Sequence, residues 1–182
     1  WSGGQKSARS GAGRVGRGEA SPALQKPASV PAKPAAASED GVCVMPIPAD
    51  APPAPTSHPR HGRPAHRWAY VDAAGVVCFY HDRYEPAGER KQFAPLSLWR
   101  NAAGRLVWKW KAPSEPRPLL GLDALAAKPG ALVVVTEGEK ARDAAAQLLP
   151  EAVVMTWAGG AQAVDKADWT PLVGRTVWLW QD

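Results

Sequence analysis

The run at 131–138, "ALVVVTEG", limits the fold of this chain more than any other feature, because it is an unbroken apolar stretch that closes on an acid and a glycine. A strand with one wet face alternates apolar and polar residues, whereas a continuous valine run suits a strand buried on both faces of a parallel sheet. The next segment, 139–150 "EKARDAAAQLLP", is rich in alanine, with Ala141, Ala144, Ala145 and Leu148 at helical spacing and Pro150 as its stop. Then come the apolar 152–157 "AVVMTW", the pair Gly159 and Gly160, a helical or irregular stretch, and the apolar 175–182 "RTVWLWQD". Strand, helix, strand, helix, strand predicts an α/β βαβαβ unit, with parallel strands at about 131–137, 152–157 and 175–181 and a helix at about 139–149. The short "LLGLDALAAKPG" before it reads as a helix closed by Pro129 and Gly130.

Upstream the period changes. In "RWAYVDAAGVVCFYHDRY" two apolar, aromatic-rich runs flank a turn at Asp72 to Gly75, a hairpin signal, and further turns at "EPAGERK" and "NAAG" make 68–111 an antiparallel meander. In its last strand a period of two puts Leu106, Trp108 and Trp110 on one face and Val107, Lys109 and Lys111 on the other. That pattern fits a strand with core on one side and water on the other, or a stacking platform with phosphate-directed lysines.

Residues 1–67 hold 11 of the 19 prolines and 8 of the 17 glycines, with few apolar residues larger than alanine, so they are expected to be a disordered tail and linker. Charge divides at the same point: 9 Lys and Arg stand against 4 Asp and Glu in 1–67, and 13 against 13 in 68–182, so the whole surplus of +5 sits on the tail. A basic arm suits contact with nucleic acid, and a solvated linker has the same composition. The expected organisation is a tail over 1–67, a β-rich module over 68–125 and the α/β part over 126–182. Cys43 and Cys78 lack any paired spacing, and His58, His61 and His66 lie in a proline-broken stretch, so neither a disulfide framework nor a zinc knuckle is expected. No apolar run approaches the ~20 residues that cross a bilayer, and a cytoplasmic setting without membrane contact is the expectation. The chain opens on Trp1 and stops at Asp182 directly after "TVWLW", which reads as a piece of a longer protein.

In open α/β sheets the reactive crevice lies outside the carboxyl ends of the strands. Glu137 ends the first of these strands and Asp182 the third, so the two carboxylates converge if the strands are neighbours, and converging oxygen ligands suit Mg²⁺. Gly138 lets a phosphate approach the backbone, and the helix that follows offers unpaired N–H groups. Lys140 is poorly placed for the helix dipole and better explained by an anionic ligand. Glu137, Glu139 and Asp143 are equally readable as acids that complement that dipole, with Glu139 facing outward.

"VVVTEGEKARDAA" followed by "TWAGGAQAVDKADWTPLVGRTVWLWQD" resembles the TOPRIM domain of phage- and plasmid-type DNA primases and primase-helicases. There a strand ends in EGEK, a second leads into a loop with a threonine and paired glycines, and a third ends in a W-P-D-x-D motif. "YVDAAGVVCFYHDRYEPAGERKQFAP" and "RPLLGLDAL" are similar to the segment that precedes it, so the resemblance spans about 45–182. It implies a truncated TOPRIM-like parallel sheet, Glu137 as general acid/base or metal-directed group, and Asp182 as the first acid of the metal-binding pair. Glu137 and Asp182 would hold Mg²⁺, and Gly138, Lys140, Gly159 and Gly160 would meet nucleotide phosphates. Gln181 stands where the family has proline, and the second acid of the pair is not in this sequence, so the piece alone is expected to be inactive. The implied function is that of a primase-like replication protein of a mobile element, acting on nucleotides and a single-stranded DNA template beside a helicase domain or protein. Its alternatives are a non-catalytic nucleic-acid docking module and a TOPRIM nuclease.

Overall fold

Alternation along two neighbouring strands decides how the antiparallel half is built. The computed structural model describes residues 41–180; residues 1–40 of the expected tail, Gln181 and Asp182 lie outside the described residues. Five strands, β1 (Val42–Cys43), β2 (His66–Val71), β3 (Val77–Tyr84), β4 (Gln92–Arg100) and β5 (Leu106–Lys109), pair antiparallel in the order β1-β4-β3-β2, with β5 also on β4. The β2–β3 turn is made by Asp72, whose Oδ1 accepts the N–H groups of Ala74 and Val76 at 2.9 Å each, and by Gly75 at φ 81°, which glycine adopts without strain.

Trp68 and Tyr70 of β2 and Phe79 and His81 of β3 are all buried, and they share one face of the sheet. Asp82 is 0% exposed on the opposite face. The Arg67 guanidinium donates from Nε and Nη2 to its two oxygens at 2.7 Å each, and Tyr84 Oη–H donates to Oδ2 at 3.1 Å. A buried carboxylate needs such a set of donors, because removing a partner leaves an uncompensated charge.

The tail expected over 1–67 does not extend to residue 67. Beyond β1 itself, Val44 N–H donates to Leu98 O (2.9 Å), Ile47 N–H to Val77 O (2.7 Å) and Ala65 N–H to Arg83 O (2.8 Å). Trp108 Nε1–H donates to Pro52 O at 2.8 Å, the His58 ring meets Trp110 at 4.6 Å, and the His61 ring meets Tyr84 at 5.1 Å. A proline-rich strip has no core of its own, yet its carbonyls can accept and its histidine rings meet aromatics edge-on or tilted. Trp108 and Trp110 therefore carry this strip, while Lys109 and Lys111 set their ammonium groups 5.6 and 4.7 Å from the Trp99 ring.

In the second half, β6 (Val133–Thr136), β7 (Val153–Met155) and β8 (Val177–Trp180) are parallel in the order β7-β6-β8, with α2 (Glu139–Leu148) crossing from β6 to β7. The first and third expected strands are thus neighbours, Val133 opposite Val177 and Thr136 opposite Trp180. Val133, Val135, Val153 and Met155 face Leu119 and α1 (Leu122–Ala127), whereas Val134 and Val154 face Ala145 of α2. Leu122, Ala124 and Leu125 of α1 pack on this sheet, and the described residues belong to one compact unit. Burial on both faces holds for β6 and β7 only. On the edge strand β8, Trp178, Leu179 and Trp180 are 62, 73 and 44% exposed. Among the described residues no helix is long and apolar enough to cross a membrane.

Deleting residues 1–67 should lower the thermal midpoint by several degrees relative to a chain lacking only 1–40, since β1 and the cover over Trp108 and Trp110 are lost. Equal midpoints in scanning calorimetry would show that 41–67 adds nothing to stability.

Candidate functional site

Two acids two residues apart take opposite courses at the carboxyl end of β6. Glu137 leaves the strand into solvent, and its Oε1 accepts the Ala161 N–H at 3.2 Å, which ties it to the loop of Gly159 and Gly160 beyond β7. Gly138 follows at φ 90°, ψ 154°, a backbone conformation that disfavours side chains, and starts α2. Glu139 then turns inward and is 4% exposed.

The expectation that Glu139 faces outward is therefore overturned. Its Oε1 accepts Tyr70 Oη–H at 2.8 Å and pairs with His81 Nδ1 at 2.5 Å. An ionised carboxylate has no proton to give, so both neighbours donate. One turn along α2, Asp143 Oδ2 accepts Trp68 Nε1–H at 2.7 Å. Trp68 and Tyr70 are two apart on a strand while Glu139 and Asp143 are four apart on a helix, so both pairs are same-face pairs and meet. Burial pushes the Glu139 carboxyl up, but the hydrogen bond and electrostatic pull of His81, then the Tyr70 hydroxyl, outweigh it and hold the group below its ordinary value of 4.5. Burial and the adjacent Glu139 push the Tyr70 hydroxyl well above its usual range, keeping it a donor.

A cavity of about 130 Å³ opens beside Glu137 and Gly138, between α2 and the antiparallel sheet, and three cations line it: Arg83, Lys91 and Lys140. Lys140 Nζ lies 3.2 Å and Arg83 Nη2 2.6 Å from the same oxygen of Glu85, whose carboxyl is held low by Lys140 first and then Arg83. The unfavourable dipole position of Lys140 thus has an explanation within the protein, an acid supplied by β3's end. The Gly138 N–H also has a protein acceptor, Thr156 Oγ1 at 3.0 Å, and the Thr156 hydroxyl donates to Thr136 O at 2.8 Å, stitching the ends of β7 and β6. Gly159 (φ 100°) and Gly160 (φ 66°) form the facing loop, where Gly160 O accepts Trp157 Nε1–H at 2.7 Å.

Of the residues expected at the site, Glu137, Gly138, Gly159 and Gly160 come together, Lys140 lines the same cavity, and Asp182 lies outside the described residues. Among the described residues no three His, Cys, Asp or Glu side chains gather as a metal cluster. Cys78 is a packing residue, its thiol pushed by burial up to about 11. Sequence reasoning missed Arg83, Lys91, His81 and Tyr70. The signal for His81 was its place two residues after Phe79, on the core face, where a histidine needs a partner. No protein-family model, curated protein or solved structure matches this chain.

Glu139→Gln should lower stability by about 3 kcal/mol, because it leaves two buried donors without their charged acceptor. With its folded-state value below 4.5, Glu139 contributes stability above that pH and loses it as the pH falls through the lowered value. Urea unfolding from pH 7 to pH 3 should show this acid limb in the wild type and a flatter one in the variant; identical profiles would contradict the ion-pair account.

Proposed function

We propose that this chain is part of a cytoplasmic primase-like replication protein with a TOPRIM-like parallel sheet, which joins nucleotides on a single-stranded DNA template in concert with a helicase domain or protein. The observation that carries the reading is the position of Glu137: a solvent-facing carboxylate at the carboxyl end of the central parallel strand, held to a glycine loop from the neighbouring strand, beside a cavity lined by three cations. Acid and cations side by side suit a reaction in which a hydroxyl loses a proton while phosphate charge is neutralised. Arg83, Lys91 and Lys140 bind and orient the phosphates, with Lys140 and Arg83 released from Glu85 as the anion arrives. Glu137 takes or holds the proton of the attacking hydroxyl.

Mg²⁺ binds through one or two carboxylates together with waters and phosphate oxygens, and the described residues supply one such carboxylate. Glu137 fits that part and Glu139, locked by His81 and Tyr70, does not. When bound by Glu137, with Asp182 as the second carboxylate, the ion would supply charge neutralisation on the phosphate oxygens.

Glu137→Gln in the intact protein should reduce Mg²⁺-dependent primer synthesis on a single-stranded template by at least about 100-fold, the lower range for losing a general base, with an unchanged thermal midpoint. Glu151→Gln, at an exposed position, is the control and should retain full activity. Full synthesis by Glu137→Gln would exclude the catalytic role, and hydrolysis of the template in place of synthesis would identify a nuclease.

A further inference from the structure

The loop that carries His58 is built around one ring nitrogen. His58 and Gly62 exchange both backbone hydrogen bonds, at 2.8 and 3.0 Å, which closes the loop 59–61, and Gly62 takes φ 71° to do so. Inside it, His58 Nδ1 accepts the Arg60 N–H at 3.0 Å and the His61 N–H at 3.3 Å. A ring nitrogen that accepts carries no proton, so this geometry belongs to the neutral imidazole. The same ring packs edge-on against Trp110 at 4.6 Å and Tyr84 at 5.9 Å, and the His61 ring lies 4.5 Å from it and 5.1 Å from Tyr84. The loop thus seats the strip on the antiparallel sheet between its anchors at Pro52, which accepts from Trp108, and Ala65, which donates to Arg83 O.

We propose that His58 is a pH-sensitive latch, which holds the strip on Tyr84 and Trp110 while its ring is neutral and lets residues 53–64 lift when Nδ1 takes a proton. A proton there turns the acceptor of two backbone amides into a donor that faces them, and it adds a charge with no acid in place to receive it. The charged or titratable neighbours within the loop are Arg60, His61 and Arg63, none of them an acid. From β3 come Tyr84 and Asp82, and the two Asp82 oxygens are taken by Arg67 and Tyr84. Glu85 and Glu89 border the cavity that Arg60, His61 and Arg63 line, but Glu85 is held by Arg83 and Lys140, and Glu89 accepts from Gln92. On the side of Trp110, Lys109 and Lys111 turn to the Trp99 ring. Burial, then the charges of His61 and Arg60, hold the His58 imidazole below its ordinary value of 6.5 against the opposing pull of Asp82. A base held low in the docked state contributes fully above 6.5; docking weakens as the pH falls below that value and levels off beneath the lowered one.

Amide exchange of the full chain, followed by NMR from pH 7.5 to pH 5, tests the latch. Protection factors at the Arg60 and His61 amides should fall at least about fivefold, the figure for losing one hydrogen bond, while those of β6 stay constant. In His58→Asn a side-chain oxygen can accept the same amides without titrating, so protection at pH 7.5 should survive and its pH dependence should vanish. His61→Asn should keep the pH dependence. A His58 ring that titrates at or above 6.5, protection that does not change with pH in the wild type, or the same fall in His58→Asn would overturn the latch. So would a parallel loss of protection in β6, which would mark general acid loosening rather than release of one loop.

Discussion

A single buried carboxylate holds the two halves of this protein in register. Glu139 sits at the start of α2 and receives hydrogen bonds from Tyr70 on β2 and His81 on β3, so the helix that crosses the parallel sheet is pinned to the antiparallel sheet at its first turn. A charge so buried is costly to desolvate and is tolerated only because each partner is itself held. Tyr70 stacks on Phe79 at 4.3 Å and His81 on Phe93 at 5.2 Å, so neither donor is free to swing away. The cavity beside Glu137 exists because this clamp fixes how far Arg83 and Lys91 stand from the helix start.

The elements of the parallel half were readable because their signals are local. Valine runs and alanine periodicity depend on which neighbours a residue has within one segment, and the observed strands 133–136, 153–155 and 177–180 and helix 139–148 fall inside the expected spans. What escaped depends on contacts between distant segments. The bonds of 44–65 to β3 and β4 need no apolar run, only carbonyls and N–H groups at the right places, so composition classed that stretch with the tail. Glu139 escaped for a related reason. Dipole complementarity treats first-turn acids alike, and it says nothing of which acid points at another sheet.

Electrostatics in the cleft is arranged by substitution. Glu85 neutralises Arg83 and Lys140 through one oxygen, at 2.6 and 3.2 Å, in an exposed position where such a pair is worth little. Two cations close together repel, and a weakly held acid between them relieves that repulsion without occupying the cavity itself. The two cations thus stay assembled at the cavity's edge with Glu85 outside it. The buried pairs behave differently. Asp82 and the His81–Glu139 pair are shut off from water while the Arg67 side chain is 22% exposed, and both pairs fix geometry.

Gly138 is where these roles separate. Glu137 directly follows β6 and Glu139 opens α2, and neither the strand's alternation nor the helix's rotation alone gives a reason for one acid in water and the other in the core. The φ of 90° at Gly138 breaks both patterns at a single residue, and the Thr156 hydroxyl accepts its N–H so that the break is bonded rather than loose. An added Cβ at Gly138 would meet nothing within 4 Å, so the requirement for glycine is conformational and not one of space. The same residue thus leaves one carboxylate in solvent and lets the next be buried against the antiparallel sheet. That division of labour explains why an acid-glycine-acid sequence placed at a strand end serves this fold better than two adjacent acids would.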